Sequence, residues 1–185
     1  MMEAVILLIV NMEKLNDVQL AQAARLLTDA LPQGWPTYDD AMQELCECII
    51  PGNTLLAAME GDEVIGFGGI LAPEYGDRVY ELHPLAVRAD CRKRGVGRAI
   101  VTALEDEARR RGGITIQLGA DDEREGGETS LANVDLYDNL PERLKNFQPG
   151  THQAGFYLKM GYSIIGVMPD ANGIGKPDIF FGKRL

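Results

Sequence analysis

Glu81 and His83 stand two residues apart in Tyr80-Glu81-Leu82-His83-Pro84-Leu85-Ala86-Val87, a stretch rich in aromatic and β-branched residues. On a strand, that spacing puts the carboxylate, the imidazole and Leu85 on one face and Tyr80, Leu82 and Pro84 on the other. Burying both polar groups in a closed core is costly. If the face lines a cleft, Glu81 can hold an ammonium group or take its proton, directly or through water. The plainer alternatives are a salt-bridged edge carboxylate and a structural histidine.

Arg92-Lys93-Arg94-Gly95-Val96-Gly97-Arg98 follows. Gly97, Ile100, Val101, Leu104 and Ala108 then recur at helical spacing, and Gly112-Gly113 stops that helix. A glycine loop at a helix N-terminus offers unpaired backbone N–H groups and a favourable dipole to an anion. Glycine lets the backbone approach the bound group, and Arg92, Lys93, Arg94 and Arg98 surround it with positive charge. A diphosphate fits such a loop. The pattern is neither GxxxxGK[ST] nor GxGxxG, so it carries neither the nucleoside triphosphate signature nor the dinucleotide one.

Tyr157, in Phe156-Tyr157-Leu158-Lys159-Met160-Gly161-Tyr162, has a hydroxyl that could protonate a leaving thiolate; packing of a helix on a sheet accounts for it equally well. His152 is expected at the surface. Cys46-x-Cys48 lacks a second ligand pair, so no metal site is expected. With Cys91, which is not proposed as a nucleophile, these cysteines read as reduced thiols of a reducing compartment, the cytoplasm.

The elements that hold these residues follow from periodicity and punctuation. Ala4 to Val10 is expected as a first strand. Asn16, with Gln19 three residues on, caps a helix that ends before Pro32. Thr37 caps a second helix running through Ile50. Leu55–Met59 and Val64–Leu71 form a hairpin around Glu60-Gly61-Asp62. After the long helix comes a strand at Ile114–Gly119, a polar loop from Asp121 to Thr129, and a helical pattern from Leu131 to Phe147 broken at Pro141. A short helix at Ala154–Met160 and strands at Tyr162–Val167 and Ile179–Gly182 complete the chain. The expected order is β-α-α-β-β-β-α-β-α-β-β, an α/β chain without repeats or an interdomain linker.

The 185 residues suit one domain, and 45% hydrophobic with 25% charged residues is ordinary for a globular protein. No apolar run reaches the roughly 18 residues needed to span a membrane, and the N-terminal apolar run lacks the basic start and cleavage site of a signal peptide. With 28 acidic against 18 basic residues and a net charge of -10, nucleic acid is not expected as the main partner; the balance suits a cationic small molecule, and solubility alone accounts for it equally well.

Arg92-x-x-Gly95-x-Gly97, after a strand and before an amphipathic helix, resembles the coenzyme A pyrophosphate loop of the GNAT acetyltransferases. The match narrows through Tyr80-Glu81-Leu82-His83-Pro84-Leu85, Gly112-Gly113-Ile114-Thr115-Ile116, Leu118-Gly119-x-Asp121-Asp122, Asp135-Leu136-Tyr137, Phe156-Tyr157-x-Lys159-x-Gly161-Tyr162 and Ala171-Asn172-Gly173-x-x-Lys176-Pro177-Asp178-Ile179. Together these resemble the aminoglycoside 6'-N-acetyltransferases from about Glu74 onward. The N-terminal third is similar only through Trp35-Pro36 and the helix pattern.

The resemblance implies a single GNAT domain with a mixed central sheet of six to seven strands and about four helices. It implies acetyl-CoA as co-substrate, no metal, and a homodimer. Leu85, Ala86 and Val87 would pair with the pantetheine arm, and amides from Arg92 through Lys93, Arg94, Gly95 and Val96 to Gly97 would hold the pyrophosphate. The Leu85 amide would donate to the thioester oxygen. Trp35, Tyr75, Glu81, His83, Asp121 and Asp122 would lie near the antibiotic, Glu81 holding or deprotonating the amine and Tyr157 supplying the acid. The rival expectations are the same transfer to another amine (a polyamine, small metabolite or protein) and a coenzyme A-binding module without catalysis.

Overall fold

Asn16 and Thr37 each begin a helix by the reciprocal bonding their side chains allow. In the computed structural model, which describes residues 7–185, Asn16 Oδ1 accepts from Gln19 N–H at 3.0 Å and Gln19 Oε1 accepts from Asn16 N–H at 3.1 Å. This opens α1 (Asp17–Ala30). Thr37 makes the same exchange with Asp40 at 3.2 and 3.1 Å and opens α2 (Tyr38–Cys48). Both boxes occupy N–H groups that the first helical turn cannot satisfy. α2 ends at Cys48 rather than running through Ile50.

The chain divides into two compact units, one running to Ile116 and taking in Leu185, the other Gln117–Arg184. In the first, β1 (Leu8–Asn11), β2 (Thr54–Glu60), β3 (Glu63–Ile70) and β4 (Val79–Val87) pair antiparallel in that order. Residues 4–6 of the expected first strand lie outside the described residues. The hairpin turns at Gly61, whose φ of +61° suits glycine. Met12, Ala23, Leu27, Ala41, Leu45 and Phe67 close the core between α1, α2 and the strands.

The long helix α3 (Val96–Arg110) lies directly on β3. A Cβ at Gly66 would stand 3.0 Å from Val96 Cγ1, and one at Gly68 would stand 3.1 Å from Ile100 Cγ2. Glycine at these two strand positions therefore sets how close the helix comes. Ile100, Val101, Leu104 and Ala108 are fully buried, as their spacing predicts.

β5 (Thr115–Asp121), which belongs to the second unit from Gln117 on, extends two residues beyond its expected end; in that unit the strand order is β5-β7-β6, with β6 (Ser163–Met168) antiparallel to β7 (Asp178–Arg184). Two helices precede β6, α4 (Leu140–Lys145) and α5 (Ala154–Lys159). Pro141 sits in the first turn of α4 and starts that helix rather than breaking one, because the first-turn N–H has no helical acceptor to lose. Five α-helices are thus present among the described residues, against about four expected. No helix among the described residues is long and apolar enough to cross a membrane.

Candidate active site

Burial alternates residue by residue along β4, with Tyr80, Leu82, Pro84 and Ala86 buried and Glu81, His83 and Leu85 half-buried. Glu81 and His83 therefore share the more open face, as their spacing predicts. His83 Nε2 lies 3.1 Å from Oε1 of Glu44 on α2, while Glu44 Oε2 accepts from the indole N–H of Trp35 at 3.1 Å. Trp35 and His83 also meet ring to ring, with centroids 5.7 Å apart. Sequence reasoning finds Trp35, Glu81 and His83 but misses Glu44, which joins two of them. Its position on an acidic amphipathic helix gives no sign of a partner 39 residues away.

Burial works against the charge on Glu44, but hydrogen bonds from the Cys48 thiol, Trp35 and His83 outweigh it and hold the carboxyl below its usual range. The Cys48 thiol is pushed up by its own burial, then by Glu44, with the charges of Glu47 and Glu81 adding to the effect. Trp35, Asp40, Gln43, Glu44 and Glu47 line a groove of about 300 Å³. With three carboxylates and one indole along it, it suits a cation.

A larger groove, about 550 Å³, is lined by Leu26, Asp29 and Ala30 of α1, by Val87 at the end of β4, and by Arg88 and Arg92 after it. Here the chain leaves β4 and turns into α3. Lys93 at φ +62° and Gly95 at φ +89° bend it back, and no side chain caps the first turn of α3. Unlike α1 and α2, α3 thus starts without a side-chain acceptor on its N–H groups, as an anion site requires. Gly95, Lys93 and Arg98 are exposed, Gly97 is half-buried and Val96 is buried as the apolar anchor of the turn.

Two of the loop arginines are engaged. Arg92 Nε donates to the Val87 carbonyl at 3.1 Å, and Arg94 pairs with Glu60 at 3.0 Å. The charge of Arg94 is therefore shared with the hairpin turn; among the described residues, Lys93 in the loop and Arg98 in the first turn of α3 make no ion pair. Tyr75 is 82% exposed, in a turn closed by Glu74 N–H donating to the Val79 carbonyl at 2.8 Å.

In the second unit, Tyr157 is buried among Phe156, Tyr162 and Phe181. Burial raises its phenol well above the usual value, so it keeps its proton at neutral pH. Asp121, the last residue of β5, is exposed and accepts from Asn172 Nδ2 at 2.5 Å. Asp122 is fully buried, and its two oxygens accept from the N–H groups of Glu128 and Thr129 at 2.8 Å each. It ties down the loop that follows it, so its carboxylate is spent on backbone.

His152 corrects an expectation. It is 5% exposed rather than on the surface; its Nδ1 accepts from Ala154 N–H at 3.2 Å, which leaves the proton on Nε2 for the Asp121 carbonyl at 3.0 Å. The ring locks the start of α5 to the end of β5, a contact that a loop position does not announce. Cys46, Cys48 and Cys91 are all free thiols.

A family model described as "Acetyltransferase (GNAT) family" matches residues 20–127. Among solved structures, the chain is similar to an aminoglycoside 6'-N-acetyltransferase complexed with coenzyme A, with 39% identity over 96% of each chain and a TM-score of 0.86. It is equally similar, by the same measures, to the aminoglycoside 6'-N-acetyltransferase from Enterococcus faecium. An aminoglycoside 6'-acetyltransferase type Ii is 34% identical over 96% of each chain, with a TM-score of 0.73. No curated protein matches the chain.

Proposed function

The chain belongs to the GNAT acetyltransferase family, and from that premise we propose that it transfers the acetyl group of acetyl-CoA directly to a primary amine, the 6'-amino group of an aminoglycoside. The observation that carries the reading is the arrangement along β4: an open face bearing Glu81 and His83 leads straight to an α3 N-terminus that no side chain caps.

In this account the first-turn amides of α3, reached through the left-handed Gly95, hold the diphosphate, and Lys93 and Arg98 complete its neutralisation. Leu85, Ala86 and Val87 pair with the pantetheine arm, and the Leu85 amide donates to the thioester oxygen as negative charge develops there. The acceptor arrives as an ammonium ion. The acidic groove of Asp40, Glu44 and Glu47 draws it in, Trp35 and His83 give it a surface, and Glu81 takes the proton. The freed amine attacks the acetyl carbonyl, the C–S bond breaks, and the thiolate leaves with a proton, the role assigned to Tyr157. Tyr75 and Asp121 are assigned further contacts to the antibiotic. The buried Asp122 acts by holding the loop that follows β5.

Free thiols support work in a reducing compartment, the cytoplasm. A homodimer accords with the exposed apolar residues of β6, Ile165 at 61% and Met168 at 52%, on a strand at the end of its order. Thiol release from acetyl-CoA over a panel of aminoglycosides, spermidine and peptides tests the function. Preference for aminoglycosides, weakening as salt rises, supports it. Equal or better turnover of spermidine or a peptide points to another amine, and tight cofactor binding without thiol release points to a binding module.

A further inference from the structure

Glu44 and Cys48 stand one turn apart on α2, and His83 reaches them from β4. Glu44 Oε1 is 3.0 Å from Cys48 Sγ and 3.1 Å from His83 Nε2, and one ligand atom from each residue lies within 4.8 Å of the other two. Around a tetrahedral zinc ion, with Zn–S near 2.3 Å and Zn–N or Zn–O about 2.0–2.2 Å, ligand atoms sit roughly 3.3–3.8 Å apart. The two pairs that Glu44 makes need to open by only a few tenths of an ångström to reach that spacing, and the Cys48 and His83 ligand atoms, within 4.8 Å of each other, need to close by at most about 1 Å.

We propose that Glu44, Cys48 and His83 form a binding site for one zinc ion. Thiolate, imidazole and carboxylate are the ligand types zinc accepts. Thiolate and carboxylate together cancel the charge of the ion, which permits a partly buried site. The support around it is already in place. Trp35 donates to Glu44 Oε2, which orients the carboxylate and leaves Oε1 for the metal. Glu47 and Glu81 add negative charge beside Cys48. The groove along Trp35, Gln43 and Glu47 reaches Glu44, so solvent has access to the site from that side and water can serve as the fourth ligand.

Cys48 gives up its thiol proton on loading, so affinity rises with pH. A loaded ion occupies His83 and Glu44, and a transition metal would thereby close the groove to a cationic molecule. The metal site itself stands whatever that molecule is. The sequence concealed the site because its three ligands never occur together as a motif.

Cobalt(II) and zinc(II) titrations of the full chain test the proposal. Expected are one ion per chain by chelator competition and a sulfur-to-cobalt charge-transfer band that persists in Cys46→Ser and vanishes in Cys48→Ser. Trp35→Phe should weaken zinc about tenfold through the lost orienting bond. X-ray absorption of the zinc-loaded wild type should show one sulfur among nitrogen and oxygen ligands, a reading that needs no variant to fold. No stoichiometric binding, a band that survives Cys48→Ser, or a zinc shell without sulfur overturns the proposal.

Discussion

Glu44 Oε1 lies 3.1 Å from Nε2 of His83, joining the second helix to the strand that carries Glu81. Because the other oxygen holds Trp35, one carboxylate fixes both an indole and an imidazole at the edge of the acidic groove. Glu44→Gln keeps the shape but loses the charge. The expected outcome is a KM for the acceptor raised about tenfold, roughly 1.4 kcal/mol, with the KM for acetyl-CoA unchanged. Steady-state kinetics with each substrate varied in turn checks it.

Glu81→Gln removes the carboxylate proposed to take the ammonium proton. Turnover at neutral pH should fall by about 100-fold, the lower end of general-base effects, while acetyl-CoA affinity by calorimetry stays within about twofold. Unchanged turnover would remove Glu81 from that role.

Gly95 adopts φ +89°, and nothing lies within 4 Å of the point a Cβ would occupy, so a side chain there meets open space but the wrong backbone conformation. Gly95→Val should strain the turn by about 1–2 kcal/mol and weaken acetyl-CoA about tenfold. Calorimetric titration of acetyl-CoA reads this directly, and the acceptor KM should move far less.

Asp178 is held up to about 6, chiefly by burial and then by the charge of Asp121. Its folded value lies above the ordinary carboxyl value of about 3.9, so its contribution to stability is full below that value and is lost as pH rises to about 6. The stability of Asp178→Asn relative to the wild type should therefore increase across that window and level off above it. Urea unfolding midpoints of both proteins at a series of pH values check it.

Local chemistry is legible where it acts within a few residues. Asn16 and Gln19, Thr37, the alternation of Glu81 and His83, and the glycine turn before α3 all follow from spacing and side-chain type. Contacts made across the fold are not. Glu44 meets His83 from 39 residues away, Arg94 turns to Glu60 across 34, and His152 reaches the Asp121 carbonyl across 31. Pro141 misleads because proline breaks a helix interior yet favours a first turn, and the polar sequence around it gives no periodicity to tell the two apart.

Acetyl transfer to one particular amine, the 6'-amino group, is what the site is proposed to perform. The most direct measurement is thiol release from acetyl-CoA with two aminoglycosides alike except at the 6' position, one bearing an amine and the other a hydroxyl. Sustained release is expected with the amine and only background with the hydroxyl. Equal release from both, or none from either, would contradict it.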